Sequence, residues 1–136
     1  MARVIRPETE TLTLASGETL IVKKRLNAGE RRIMLAAMRD PETGRMDGLL
    51  SGQATTLAYL LDWTLKDDIS GEPLLIRDPK TGERFSNRDI AATLDSLDPQ
   101  DTKEIERLID EWDDKMVAER KAEKKIPDGK PSSEQS

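Results

Sequence analysis

Residues 98–117 predict an amphipathic helix that needs an apolar partner surface from the rest of the chain. Asp98-Pro99 supplies a helix-capping residue followed by proline at the first helical position. Acidic residues gather at the start and basic residues at the far end, which suits the helix dipole. The apolar residues recur at 3.6-residue spacing: Ile105, Leu108, Ile109, Trp112 and Met116. The remaining elements must therefore pack against this stripe.

The first part of the chain predicts a β-hairpin. Residues 9–14 alternate threonine with apolar side chains, residues 15–18 have turn chemistry, and residues 19–23 are again β-branched and apolar. Leu12 and Leu14 share one face of the first strand. We expect that face to pack on helices, and the other to meet water or a partner.

Three further helices are predicted between the hairpin and the C-terminal helix. Asn27 and Glu30 form a capping-box pair at the start of the first, which continues to Arg39. The second, residues 49–61, is expected to be the central core helix because its apolar residues recur at helical spacing. That stripe consists of Leu50, Ala54, Leu57 and Leu61. Ser86 or Asn87 begins the third, which carries Ile90, Leu94 and Leu97 on one side.

These elements predict an α+β fold in which an N-terminal β-hairpin packs on about four α-helices, so that the chain is mostly helical. Turns are expected at 40–44, 67–72 and 78–82, with a second short hairpin around 63–76. We expect a flexible N-terminus over 1–8, a single domain over 9–122, and a disordered charged tail over 123–136. No internal repeat is identified.

Composition argues against catalysis, because the chain has no cysteine and no histidine. Disulfides, thiolate chemistry and the commonest general base are thereby excluded. Carboxylate pairs such as Asp67-Asp68 and Asp113-Asp114 are interpreted as solvated surface charge. We therefore expect no enzymatic activity, no cofactor and no metal. No segment resembles a signal peptide or a membrane span, so a cytoplasmic protein without a membrane partner is predicted.

The charge pattern also disfavours nucleic acid as a partner. The net charge is −5, and the basic clusters are short: Lys23-Lys24-Arg25 and Arg31-Arg32. A nucleic-acid surface would require these five side chains to form one exposed patch. A protein partner is favoured instead.

Four residues are candidates for partner binding. Tyr59 falls opposite the predicted core stripe of the second helix, while Trp112, Met116 and Val117 lie where the apolar stripe of the last helix ends. The alternative interpretation of Tyr59, Trp112 and Met116 is core packing, since apolar residues at helical spacing usually face a core. Surplus apolar surface on the first two helices is also compatible with self-association.

The order of these elements resembles a known family. The pattern consists of the Glu10-Thr11-Leu12-Thr13-Leu14 and Ser16-Gly17-Glu18-Thr19-Leu20 hairpin, the segment Val22-Lys23-Lys24-Arg25-Leu26-Asn27-Ala28-Gly29-Glu30, the helix end Ala58-Tyr59-Leu60-Leu61-Asp62-Trp63, the segment Leu94-Asp95-Ser96-Leu97-Asp98-Pro99, and an acidic helix at Glu104-Ile105 with a charged tail. Together they resemble the small tail assembly chaperones of long-tailed (siphovirus-type) bacteriophages, over about residues 8–122.

The resemblance implies a non-enzymatic protein of the infected host's cytoplasm. It would bind the tape measure protein and recruit tail tube subunits around it during assembly. The family often has a longer frameshifted form, whose extension would attach beyond about Val117. The alternative interpretation is a structural virion component, such as a minor tail or connector protein, with a nucleic-acid-binding adaptor as a third possibility.

Overall fold

The computed structural model describes residues 2–5 and 7–128. The elements in chain order are strands β1 (Thr9–Thr13) and β2 (Thr19–Lys23), helices α1 (Ala28–Ala37) and α2 (Gly48–Tyr59), strand β3 (Leu60–Trp63), and helices α3 (Asn87–Asp95) and α4 (Pro99–Asp128). The α+β class, the N-terminal hairpin and the four helices are confirmed.

The sheet has three antiparallel strands in the order β1-β2-β3. Alternation places Leu20 and Val22 of β2 in the core, with Leu12 of β1 packed beside them. The predicted second hairpin is not formed as a strand pair. The extended segment begins at Leu60, three residues earlier than predicted, and pairs with β2, whereas residues 66 and 73 form a single isolated bridge.

Local capping determines where the helices begin. Asn27 and Glu30 form the predicted capping box of α1, and the Ser86 side chain accepts a hydrogen bond from the Asp89 amide at the start of α3. Asp98 accepts from the Gln100 amide at 2.8 Å, as expected for the residue before Pro99. The predicted starts of these three helices are therefore confirmed.

Helix α4 lies against the rest of the fold and contributes Ile105, Ile109, Trp112 and Met116 to the core. Its distal part contacts the β2–α1 connection, since Arg120 donates to the Leu26 carbonyl at 3.1 Å. Glu123 accepts from Arg25 and, at 2.6 Å, from Arg3. The helix thus continues past the end of the apolar stripe, while residues 129–136 of the predicted tail lie outside the described residues.

The three predicted turns share one local pattern. Each has a basic residue, an aspartate, two variable residues, a serine or threonine, and a glycine, beginning at Arg39, Lys66 and Arg77. The glycine amide donates to the aspartate carbonyl at 2.7–2.9 Å in all three. Each glycine has a positive φ, between 71° and 76°. The chain therefore repeats one turn geometry at three places.

Over the part of the chain that the structure describes, none of the helices combines the length and the apolarity needed to cross a membrane.

Candidate functional site

Helix α2 buries a side that only partly overlaps the predicted one. Tyr59, expected to lie on the outer side, is fully buried. Thr55 and Thr56 are buried with it, and their hydroxyls donate to carbonyls one turn earlier at 2.9 and 3.0 Å. Of the predicted stripe, Ala54 is buried, whereas Leu50, Leu57 and Leu61 are only partly buried. The prediction for α2 was wrong because this helix is apolar on nearly every side, so its own pattern does not select the core face.

The partly covered side of α2 forms an open groove with α1. We call it the α1–α2 groove. Its volume is about 280 Å³, and its apolar lining comprises Ile33, Met34 and Ala37 of α1, Ala54, Leu57 and Ala58 of α2, and Leu61 of β3. Ile33 stands at the lip with 69% of its surface exposed. Leu57, Ala58 and Leu61 are half-buried, so the groove is an apolar surface that is only partly covered, the kind of surface that a protein partner can cover further.

Polar side chains surround one end of the groove: Lys23, Glu30, Arg84 and Asn87. Lys23 and Glu30 form an ion pair at 2.6 Å. Burial opposes the charge of Glu30, but the hydrogen bonds from Lys23 and the Asn27 amide outweigh it and lower the pKa of this carboxyl. This part of the rim is therefore internally neutralised.

Arg84 is the cation of the rim that has no carboxylate partner among the described residues. It donates to the Leu57 and Leu60 carbonyls at 2.7 and 2.8 Å, and to Asn87 at 2.8 Å. Burial and then the charge of Arg77 lower the pKa of Arg84. The guanidinium thus ties the third turn to the end of α2 and places uncompensated positive charge at the groove.

A second cavity adjoins the first. It has a volume of about 250 Å³, and it shares Lys23, Glu30 and Leu61 with the α1–α2 groove. The N-terminal residues Ile5 and Pro7 form its far side. The two cavities are therefore neighbours on the surface.

A buried polar cluster joins three helices behind the groove. The Tyr59 hydroxyl donates to Asp113 Oδ1 at 2.5 Å, and Arg31 Nη2 donates to the same oxygen at 2.7 Å. Burial and then the hydrogen bond to Asp113 raise the pKa of Tyr59. Burial opposes the charge of Arg31, but the hydrogen bond to Asp113 and the charge of that carboxylate outweigh burial. The pKa of Arg31 is therefore raised. Arg31 Nε is buried without a hydrogen-bond partner. The cluster holds α1, α2 and α4 together at a polar point.

The other predicted contact residues lie mainly in the core. Trp112 and Met116 are buried, and the Trp112 indole N–H lies 3.2 Å from the carbonyls of Lys23 and Lys24. Val117 is partly buried. The structure therefore places Tyr59, Trp112 and Met116 as the core-packing alternative describes, and it does not bring them to an open surface.

The five basic residues weighed for nucleic-acid binding do not form one free patch. Lys23 pairs with Glu30, Arg25 pairs with Glu119 and Glu123, and Arg31 reaches Asp113. Three of the five cations are thus neutralised by carboxylates of the same chain, and the condition set for that interpretation is not met.

Some groove residues were singled out in the sequence, but they were not predicted to line an open surface. The stripe through Leu57 and Leu61 was identified and assigned to the core, while Ile33 lay within an apolar run that has no clear face. Arg84 had no individual signal. Recognition of the repeated turn pattern would have marked the residues around 77–84 as a unit.

No known protein family, curated protein or solved structure matches this chain. Within residues 2–5 and 7–128, no three histidine, cysteine, aspartate or glutamate side chains gather so that they could hold a metal ion.

Proposed function

We propose that this chain is a non-enzymatic tail assembly chaperone of a long-tailed bacteriophage. It would capture an apolar segment of the tape measure protein and recruit tail tube subunits around it. The supporting observation is the open α1–α2 groove, because a chaperone of this kind needs apolar surface that remains available in the folded chain. The family resemblance in the sequence supplies the identity of the partners.

The groove suits reversible protein capture. Its lip residue Ile33 is exposed, whereas the α2 side chains Leu57 and Ala58 are partly covered. A partner can therefore add apolar contacts without unfolding the chaperone. Each fully buried aliphatic side chain contributes about 1.5–3 kcal/mol, so a few such contacts support binding.

A pull-down from co-expression tests this proposal. The tagged chain is expressed with the tape measure protein and the tube protein of the same phage. We expect wild-type protein to retain the tape measure protein, and Ile33→Glu to retain at least roughly tenfold less, because a carboxylate on the lip would lose hydration when the groove closes. Leu49→Glu is the matched control, since Leu49 is apolar, 89% exposed and outside the groove.

Capture of neither protein by the wild-type chain would refute the chaperone proposal. Recovery of the chain in stoichiometric amounts from purified particles would instead favour a structural virion component. Equal loss of capture in Ile33→Glu and Leu49→Glu would show that the α1–α2 groove is not the specific binding surface.

A further inference from the structure

We infer that the α1–α2 groove receives an amphipathic helix that carries a carboxylate at one end of its apolar stripe, and that Arg84 recognises this carboxylate. The inference rests on the proposed function in so far as that function makes the groove a protein-binding site. It adds the secondary structure and the charge of the bound segment.

The apolar lining matches the footprint of a short helix. Ala54, Leu57 and Ala58 of α2 follow i, i+3, i+4 spacing and cover about 6 Å along the helix axis, and Leu61 of β3 extends the same wall. Ile33 and Met34 form the opposite wall. A volume of about 280 Å³ is just below the roughly 300–1,000 Å³ of small-molecule sites. The space therefore suits a few side chains from one helical face, as in helix-in-groove recognition.

Binding of a partner as an additional β-strand beside the groove is disfavoured. β3 is an edge strand beside the groove. Two of its carbonyls are already occupied, since Arg84 Nε donates to Leu60 O at 2.8 Å and Arg77 Nε donates to Leu61 O at 3.0 Å. An added strand would have to displace these side chains to reach both acceptors. A helix satisfies its own backbone and needs only the apolar wall.

The charge at the rim of the groove determines which charge a bound segment should carry. Lys23 and Glu30 neutralise each other, and Arg77 lies 3.7 Å from Asp62. Arg84 has no such partner among the described residues. Its contacts with Leu57 O, Leu60 O, Phe85 O and Asn87 Oδ1 use four of the five guanidinium N–H donors. The guanidinium therefore retains both its charge and one donor for a carboxylate.

Synthetic peptides test the inference on the full chain. The probes are three acetylated helical peptides with the same Leu/Ala stripe at i, i+3, i+4, i+7 and either Glu, Gln or Lys one turn beyond it. Isothermal titration calorimetry measures their affinities. We expect the Glu peptide to bind about three- to fivefold more tightly than the Gln peptide, the size of one partly exposed ion pair, and the Lys peptide to bind more weakly than both. The preference should shrink as salt is raised.

Two variants locate the site. Arg84→Gln should make the Glu and Gln peptides bind equally. Because Arg84 also fastens the end of α2, Ile33→Glu provides a second measurement that leaves these contacts in place. It should weaken the Glu peptide more than the Lys peptide, whereas Leu49→Glu should change neither.

Each contrary outcome overturns a stated part of the inference. Equal affinity for the Glu and Lys peptides would overturn recognition of a carboxylate. Absence of binding by all three would overturn the helix-binding site, as would binding that Ile33→Glu leaves unchanged. Capture of the tape measure protein is measured separately, so failure with peptides alongside successful capture would leave the chaperone proposal standing with a different binding mode.

Discussion

Removal of the Asp113 carboxylate is expected to destabilise the fold more than any conservative change around it. Asp113 accepts from Tyr59 and from Arg31 at 2.5 and 2.7 Å, and its side chain is only 14% exposed. Asp113→Ala leaves two donors without their acceptor. Arg31, whose side chain is 23% exposed, would keep its charge in a poorly hydrated place.

The magnitude follows from these exposures. Loss of one partner from a fully buried ion pair costs about 3–5 kcal/mol. Both side chains here reach solvent in part, so we expect about 2–3 kcal/mol from the pair, and about 1 kcal/mol more because the Tyr59 O–H loses its acceptor. The free energy of unfolding should therefore fall by about 3–4 kcal/mol. Tyr59→Phe, which preserves the ion pair, should cost only about 1.5 kcal/mol.

Urea denaturation followed by circular dichroism measures these differences. A triple variant separates the cost of desolvating the polar groups from the contribution of packing. It combines Arg31→Met, Asp113→Leu and Tyr59→Phe, which make the cluster apolar. Because no buried polar group is then left without a partner, this triple variant should lose less stability than Asp113→Ala alone. Its m-value should match that of the wild type if the fold is retained.

Two results would contradict the reasoning. A cost below about 1 kcal/mol for Asp113→Ala would mean that the cluster is effectively solvated. A triple variant less stable than Asp113→Ala would mean that the three polar groups contribute net attraction beyond their desolvation cost.

The remaining predictions concern the acidic side of α4 and the repeated turn. Burial, and then two neighbouring carboxylates, raise the pKa of Glu106. Ionisation of Glu106 therefore lowers the stability of the fold as the pH rises above the ordinary pKa of 4.5. In urea titrations, Glu106→Gln should be more stable than the wild type at pH 7 and equally stable near pH 3. Alanine at each turn glycine should cost about 1–2 kcal/mol in thermal or urea unfolding, because φ is positive while a Cβ meets nothing within 4 Å. These glycines are Gly44, Gly71 and Gly82. Clearly unequal costs would show that the three turns are not equivalent.

Local signals sufficed for the elements whose ends are determined by neighbouring residues. The capping box at Asn27, the cap at Ser86 and the Asp98-Pro99 pair could each be read within four residues of the helix start. The hairpin was predictable because its alternation and turn are contiguous. The stripe of α4 was recognised because the other sides of the helix are charged, but Trp112 and Met116 at its end were named as partner-binding candidates, and they lie in the core as the alternative interpretation describes.

The buried side of α2 could not be read locally. No side of this helix is clearly more apolar than the others, and its buried side includes Tyr59, whose hydroxyl bonds to Asp113 and Arg31 on other helices. The position at which α2 ends also depends on contacts that are distant in the sequence. Leu60 adopts extended backbone, with φ −68° and ψ 125°, and the chain then pairs with β2, about forty residues earlier in the sequence. The groove is a consequence of these distant contacts.

The position of α4 determines when the domain can fold during synthesis. Its hydrogen bonds reach Lys23 across 89 residues and Leu26 across 94. At translation rates of roughly 5–20 residues per second, these partners leave the ribosome roughly 5–20 s before the helix that covers them. The sheet face with Leu20 and Val22 is exposed on the nascent chain during that interval. Closure of the core therefore waits for the synthesis of α4.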